Sequence, residues 1–381
     1  MADYYLDGTI SSVSGTGSGT ELDPWGKDSD LLAYAVAEVA SGAGIDSDGD
    51  SFIVLDGDLN STAMLNLAGY SFTKPFTVRP FVMDGTQRVT YDLGDFAFHN
   101  STSISGIGLY FLDFENIPTA SLSGSGAGAA IDFNGRGNFI GCSIDGTGGS
   151  ASTWLSPGLG SNVVGNHFKN DQRTAGLLIN GAGNANLISG NYFENITGDF
   201  YDIYTYASAF TNNVLTYDPS YTYSSGSVLP IDAGKIRNNT FVGPGSGGGT
   251  AAAAAILVTN SYEVNHIENN YFEGFALVLN LTGSSTSAYL LNQVIGNRYH
   301  NCTDFFETGT PSEAVILNQE NLELSESGLV DVAGGDYRPN NLLINQGYNP
   351  FAMTNALNNT LRPTIGALEN NIVVPRVRDI Y

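Results

Sequence analysis

Five charged residues between positions 169 and 202 have the side-chain types that act on uronic acid polymers. They are Lys169, Arg173, Glu194, Asp199 and Asp202. A lyase on such a polymer needs a base, often Lys or Arg, and a cation that neutralises the substrate carboxylate. Ion pairs on a solvated outer face would give the same pattern. The sequence favours that structural interpretation, because charge networks on scaffolds mimic sites.

A second group of charged residues recurs at matching places further along the chain. It comprises Lys235, Arg237, His266, Glu268, Arg298 and His300. These residues would come together if successive segments stack on one another. Solvated side chains and ion pairs on an outer face are again the favoured interpretation.

An acidic segment, Asp46-Ser47-Asp48-Gly49-Asp50, has the alternating carboxylates that hard cations prefer. It is similar to the first half of an EF-hand loop but lacks the closing bidentate Glu. Calcium bound by Asp46, Asp48 and Asp50, with help from Asp56 and Asp58, is therefore one prediction. An acidic turn before a strand is the alternative that the sequence favours.

A short sequence phrase repeats from residue 141 to residue 299 and predicts the elements that position these residues. A small residue or Asn comes first, then usually Asn, then any residue, then a large apolar one. The copies begin at Gly141, Gly165, Gly190, Asn212, Asn238, Asn269 and Gly296, at intervals of 22 to 31 residues. A period of this length, irregular by a few residues, is typical of a solenoid whose coils differ in their loops.

The phrase predicts a tight bend followed by a strand. Gly and Asn tolerate a left-handed backbone, and alternate strand residues take opposite faces. Stacked about 4.8 Å apart, the coils would align one inward apolar column. That column is Ile144, Phe168, Phe193, Leu215, Phe241, Phe272 and Tyr299. The bend would carry a ladder of hydrogen-bonded amides. Its members are Asn166, Asn191, Asn213, Asn239, Asn270 and Asn297.

The remaining chain predicts caps at both ends of the solenoid. Residues 29–39 form an amphipathic helix with Ser29 or Asp30 as its N-cap, which can cover exposed strand edges. Further strands are predicted over 51–58, 63–67, 76–82, 88–93 and 107–114. We expect an N-terminal cap module at 1–58, the parallel β-helix at 59–330, and a C-terminal cap with an extended tail at 331–381.

Composition excludes several classes of partner. The formal net charge is -24, with 14 Lys and Arg against 38 Asp and Glu, so neither nucleic acid nor an anionic membrane is an expected partner. No apolar run is long enough to span a membrane. The two cysteines, Cys142 and Cys302, predict buried thiols rather than a disulfide framework. The N-terminus has no basic region followed by an apolar one, so no Sec signal is expected.

Tyrosines are concentrated between residues 199 and 223. They are Tyr201, Tyr204, Tyr206, Tyr217, Tyr221 and Tyr223. Tyrosine can stack on sugars and is also enriched at protein interfaces, which is the interpretation favoured here. The tail from Val373 carries Arg376 and Arg378 and is predicted to dock on a partner.

Three features together resemble the pectin-lyase-like superfamily. The first is the opening Tyr4-Tyr5-Leu6-Asp7-Gly8 with Pro24-Trp25, the cap helix and Ile53-Val54-Leu55-Asp56-Gly57. The others are the repeated phrase and the closing Asp336-Tyr337-Arg338-Pro339 with Ile365-Gly366-Ala367-Leu368-Glu369. The resemblance implies an all-β, single-stranded, right-handed parallel β-helix. Members include polysaccharide lyases and hydrolases, phage tailspikes and phage head-decoration proteins. The hydrolase strings (Asp-Asp with N-x-D, G-H-G and R-x-K) and the lyase string W-x-D-H are absent.

These observations favour a non-enzymatic virion protein of a tailed bacteriophage. We expect a capsid decoration or cement protein that forms a homotrimer and contacts the major capsid protein, another virion protein or a cell-surface polysaccharide. It would be made in the host cytoplasm and found in the virion, with an extracellular location as the alternative. No catalytic residue and no cofactor other than calcium is expected. A tailspike-like or free polysaccharide lyase or hydrolase on an acidic polysaccharide is the alternative function, and a glycan-binding adhesin is a third.

Overall fold

The structure is a computed structural model with two compact units, which divide between Gly183 and Asn184. It describes residues 2–41, 50–67, 76–94, 96–99, 106–118, 129–133, 136–149, 153–158, 160–172, 177–181, 186–197, 203–205, 208–219, 228–230, 234–245, 254–257, 265–280, 291–306 and 315–343. The predicted all-β parallel solenoid is confirmed, and α1 (Leu31–Ser41) is the one helix among these residues. The predicted domain boundaries stay predictions.

In the first unit, parallel strands stack in three sheets. The N-terminal strand pairs with the next strand along the chain, and every later strand pairs with the third strand after it. Sheet 1 contains β1 (Ala2–Asp7), β2 (Asp50–Asp56), β5 (Phe76–Pro80), β8 (Ile107–Tyr110), β11 (Gly137–Ile140) and β14 (Asn162–Val164). Sheet 2 contains β3 (Leu59–Asn60), β6 (Val89–Asp92), β9 (Leu112–Glu115), β12 (Ser143–Asp145) and β15 (His167–Lys169). Sheet 3 contains β4 (Leu65–Asn66), β7 (Phe98–His99), β10 (Ile131–Asp132), β13 (Thr153–Ser156) and β16 (Leu177–Gly181).

The second unit repeats the same arrangement. Its sheet 1 contains β17 (Leu187–Ser189), β20 (Ser208–Thr211), β23 (Gly234–Arg237), β26 (Asn265–Glu268), β29 (Leu291–Ile295) and β32 (Val315–Gln319). Its sheet 2 contains β18 (Tyr192–Ile196), β21 (Val214–Tyr217), β24 (Thr240–Val242), β27 (Tyr271–Glu273), β30 (Arg298–His300) and β33 (Leu322–Glu323). Its third side contains β19 (Ile203–Thr205), β22 (Val228–Pro230), β25 (Ala254–Leu257), β28 (Leu277–Asn280) and β31 (Asp304–Phe306), and an antiparallel hairpin follows, β34 (Leu329–Asp331) with β35 (Asp336–Pro339).

The first residue of each repeated phrase makes the bend between sheet 1 and sheet 2. It has a left-handed backbone in every copy, with φ between 53° and 69°. Phe111 (φ 53°) and Glu320 (φ 55°) take the same conformation at two further bends. The single strand predicted over 107–114 is therefore wrong: Phe111 divides it into β8 and β9. Neither residue type favours this conformation, so the sequence did not mark these bends.

The inward apolar column is buried along each unit. Ile144 pairs with Phe168, and Phe241 pairs with Phe272 with ring centroids 4.9 Å apart and planes 8° apart. Every predicted member is buried except Tyr299, which is half-buried. Tyr91 and Phe114 extend the column in the first unit. The aligned rings remove apolar surface from water and stack on one another, which stabilises the parallel register.

The bends of the second unit are joined by an amide ladder. Each Asn side chain donates from Nδ2 to Oδ1 of the next Asn at 2.8–3.1 Å, through Asn191, Asn213, Asn239, Asn270, Asn297 and Asn321. That Oδ1 also accepts the backbone N–H of the preceding Asn at 2.9–3.0 Å. The second Nδ2 hydrogen goes to a main-chain carbonyl, as from Asn239 to Phe210 at 2.9 Å. In the first unit, Asn166 accepts from the Cys142 N–H at 2.8 Å.

Helix α1 packs its apolar face against β1 and β3, and Leu32, Ala35 and Val36 are buried. The helix begins after Asp30, as expected. The Asp30 carboxylate, however, accepts hydrogen bonds from the N–H and hydroxyl of Thr62. Asp30 thus ties the helix start to the coil that follows β3.

We predict that Asn239→Ala destabilises the second unit strongly. The change leaves the Asn213 N–H and one Nδ2 hydrogen of Asn213 without their acceptor in a buried layer. Each orphaned group costs about 1–3 kcal/mol, so the free energy of unfolding should fall by about 3 kcal/mol or more. Urea unfolding measures this loss. Thr211→Ala, which removes one outward hydroxyl bonded to Ser189, is the control and should cost less than about 1 kcal/mol. Equal losses would contradict the ladder's role.

Candidate functional site

A polar groove of about 370 Å³ lies on the outer face of sheet 2 in the first unit. It is lined by Arg88, Thr90, Asp113, Glu115, Cys142, Ser143, Asp145, Gly165, His167 and Lys169. Parallel register places these side chains in rows that run from coil to coil. Thr90 pairs with Asp113, Asp113 with Ser143, and Ser143 with His167. The groove is thus built from the outward positions of four consecutive strands.

Arg88 and Asp113 form a bidentate ion pair at one end of the groove. Nε of Arg88 lies 2.8 Å from Oδ2 of Asp113, and Nη2 donates to Oδ1. The Ser143 hydroxyl donates to the same Oδ1, and Nη1 of Arg88 donates to the Gly141 carbonyl at 2.8 Å. Burial alone would raise the pKa of Asp113. The hydrogen bonds from Arg88 and Ser143, with the charges of Arg88 and Lys169, outweigh burial and lower this pKa.

Asp145 anchors the other end of the groove. Its Oδ1 accepts from the Thr147 N–H at 2.9 Å and hydroxyl at 2.7 Å and from Nδ2 of Asn170 at 2.9 Å. Its Oδ2 lies 3.2 Å from Nζ of Lys169. Burial would raise the pKa of Asp145, but these hydrogen bonds dominate and lower it to about 2. Both aspartates therefore stay ionised and act only as acceptors at neutral pH.

Cys142 forms part of the groove floor but is chemically inert. Its thiol is buried, and its Sγ–H points to the Leu109 carbonyl at 3.4 Å. Burial raises the pKa of Cys142 to about 12, so the thiolate is absent at neutral pH. Cys302 in the second unit is also buried, and burial raises its pKa to about 11. Neither cysteine is disulfide-bonded, as predicted.

The matching face of the second unit is covered by the chain itself. The hairpin β34–β35 and its flanks pack Leu329 and Leu343 against Val242 and Tyr271. The Tyr271 hydroxyl donates to Glu273 at 2.5 Å and accepts the Gly328 N–H at 2.8 Å. Burial and the Glu273 carboxylate raise the pKa of Tyr271. This outer face is therefore an internal contact, whereas the groove of the first unit opens to solvent.

The structure places the first predicted group in different environments. Lys169 lies in β15 of the first unit and pairs with Asp145. Glu194 lies in β18 of the second unit, where burial and then the Glu194 charge raise the pKa of the neighbouring Tyr192. Arg173, Asp199 and Asp202 lie outside the described residues.

The second predicted group is divided between two sheets. On sheet 1 of the second unit, Nε of Arg237 lies 3.0 Å from Glu268, and Nδ1 of His266 lies 3.4 Å from the same carboxylate. Lys235 lies on the same face, opposite His266 in the register. Arg298 and His300 lie on sheet 2 instead, where they contact the main-chain carbonyls of Glu320 at 2.6 Å and Leu324 at 3.0 Å.

The remaining predicted residues fall mostly outside the described part of the chain. Asp46 and Asp48 are outside it, and Asp50 is the first residue of β2 and is buried. Within the described ranges, no three His, Cys, Asp or Glu side chains are arranged to hold a metal ion. Tyr217 is buried against Phe275, Tyr204 lies in β19, and Tyr201, Tyr206, Tyr221, Tyr223 and the tail from residue 344 are not described.

Four residues that line the groove with Lys169 were not predicted as its neighbours: Arg88, Asp113, Ser143 and Asp145. A signal was present at the third position of the repeated phrase and at the residue directly after the phrase. In the first unit these outward positions are polar, as in Ser143 and Asp145 or His167 and Lys169. In the second unit they are more apolar, as in Val214 and Tyr271. Only the register shows that Asp113, two residues after an unmarked bend, belongs to the same row.

We predict that Asp145 makes stability depend on pH in the acid range. Its pKa is lower in the folded than in the unfolded chain, so its contribution is present above about pH 4 and is lost as the pH falls toward about 2. The stability difference between the native protein and Asp145→Asn should therefore shrink over that interval. Thermal unfolding at pH 2 to 7 measures it. A difference that stays constant across this range would contradict the assignment.

No family model, no curated protein and no solved structure matches this chain significantly. In the part of the chain that the structure describes, no helix is both long and apolar enough to cross a membrane.

Proposed function

We propose that this protein is a non-catalytic structural component of a tailed-bacteriophage virion, a capsid decoration protein that presents a glycan-binding surface. In this proposal it is a homotrimer that binds the major capsid protein or another virion protein. The parallel β-solenoid supports this role, because its coils are held by internal hydrogen bonds and a buried apolar column. Such a scaffold supplies a durable surface without a cofactor.

The observation that carries the proposal is the pairing of both cations in the groove. Arg88 is held by Asp113 and Lys169 by Asp145. A lyase needs a base that can accept a proton and a cation that can meet a substrate carboxylate. Here each cation is already paired with a carboxylate of the protein. This pairing keeps the cation protonated, which opposes its use as a base, and it competes with a substrate carboxylate for the same charge. The groove is thus better suited to holding a ligand than to transforming one.

The acidic character of the chain also supports the proposal. A net charge of -24 keeps a protein solvated and disfavours contact with polyanions. A partner surface on the particle would have to be neutral or basic where it meets this chain.

We expect the protein to be a stoichiometric component of mature particles. Virions purified by density gradient from the producing culture, with quantitative mass spectrometry, measure its ratio to the major capsid protein. A constant ratio through successive gradients and moderate salt washes is the expected result. Its absence from particles, with recovery only in the soluble fraction, would contradict the proposal.

A second candidate function is a polysaccharide lyase or hydrolase acting on an acidic polysaccharide. One observation favours it: the groove brings His167 and Lys169 together with three carboxylates. Incubation with uronate polymers, followed through the absorbance of unsaturated products and through reducing ends, tests both reactions. We expect no turnover. Turnover that Lys169→Ala abolishes, while Lys235→Ala on the exposed face of β23 leaves it unchanged, would establish the enzyme and overturn the structural proposal.

A further inference from the structure

We propose that the groove on sheet 2 of the first unit binds a neutral, hydroxyl-rich glycan and rejects anionic ones. This inference rests on the proposed glycan-binding role, deepens it by naming the ligand class, and assigns the contact to this groove. The proposed ligand therefore belongs to a different class from the uronate polymers that the charged residues of the sequence suggested.

The charge of the groove disfavours an anionic ligand. Its lining contains two cations, Arg88 and Lys169, and three carboxylates, which are those of Asp113, Glu115 and Asp145. Each cation lies within ion-pair distance of an aspartate, at 2.5 Å for Arg88 and 3.2 Å for Lys169. Glu115 lines the same groove and is exposed. A ligand carboxylate or sulfate would meet a surplus of negative charge and no uncompensated cation.

The same side chains are well suited to hydroxyl donors. Oδ2 of Asp113 has a lone pair left beyond its bond from Arg88, and Oδ2 of Asp145 has one beyond its contact with Lys169. Both carboxylates are fixed by bonds to their other oxygen, from Ser143 and Thr147 respectively. Fixed, ionised acceptors form strong hydrogen bonds with ligand hydroxyls and lose little entropy on binding.

The shape of the groove fits part of a chain molecule. Its volume of about 370 Å³ is within the range of small-ligand sites, about 300–1,000 Å³. The rows run across β6, β9, β12 and β15, and each step is about 4.8 Å along the solenoid. Outward groups therefore repeat at a regular spacing along an open face, where an extended polymer can lie without threading through a closed pocket.

The test is binding of the full-length protein to three polysaccharide classes of matched size. Dextran, galactomannan and xylan are the neutral set, polygalacturonate and alginate the anionic set, and chitosan oligosaccharides the cationic one. Affinity electrophoresis and isothermal titration give the dissociation constants. We expect measurable binding to at least one neutral glycan and weaker binding to both anionic polymers. Tighter binding to an anionic polymer, or preference for chitosan over every neutral glycan, would overturn the inference.

Variants assign the binding to the groove. Glu115→Gln changes an exposed carboxylate that lines the groove, so the fold is expected to survive. Asp113→Asn replaces one fixed acceptor oxygen with an NH2 donor. Losing a charged hydrogen bond should weaken binding by about ten-fold or more. Glu326→Gln, an exposed carboxylate of the second unit, is the matched control. Circular dichroism verifies folding.

The possible results separate this inference from the proposed function. Unchanged affinity in Glu115→Gln and in folded Asp113→Asn would exclude the groove as the site. No binding to any of these glycans would overturn the inference, while the particle ratio would still decide the virion role independently.

Discussion

The structure depends on satisfying the polar groups at a buried bend. At each bend between sheet 1 and sheet 2 of the second unit, the backbone turns through a left-handed residue. The N–H group of the next residue is then buried away from water. The Asn at the same place in the next coil accepts this N–H through its Oδ1. In Asn239, for example, Oδ1 accepts two hydrogens and Nδ2 donates two, so all four side-chain bonds are made inside the protein. An orphaned buried donor costs about 1–3 kcal/mol, which few side chains at this position could offset.

Because the bend and the inward column hold the coils, the outward positions are free to differ. In the second unit Val242 and Tyr271 face out and are covered by the hairpin β34–β35, so that face adds to the core. In the first unit Asp113, Ser143 and Asp145 face out and form ion pairs and hydrogen bonds in an open groove. One backbone plan thus supports an internal seam in one place and a solvent-facing polar surface in another.

The repeated phrase predicted the solenoid, the bends and most of the buried column because bend chemistry and side-chain alternation are local properties. The groove was harder to predict because it depends on register. Lys169 was predicted as a site residue, but its partner Asp145 lies one coil away and 24 residues earlier, directly after the copy of the phrase whose second residue is Cys142 rather than Asn. Phe111 and Glu320 take the bend conformation without being Gly or Asn, so tertiary packing overrode local preference there.

Hydrogen exchange measured residue by residue tests the central claim most directly. If the amide ladder holds the coils, the backbone N–H groups of Asn213, Asn239 and Asn270 should exchange only through unfolding of the whole unit. Their protection should then equal the largest value in the second unit and fall together with added urea. Exchange of these three amides as fast as that of exposed turn residues such as Gly334 would show that the ladder does not hold the structure together.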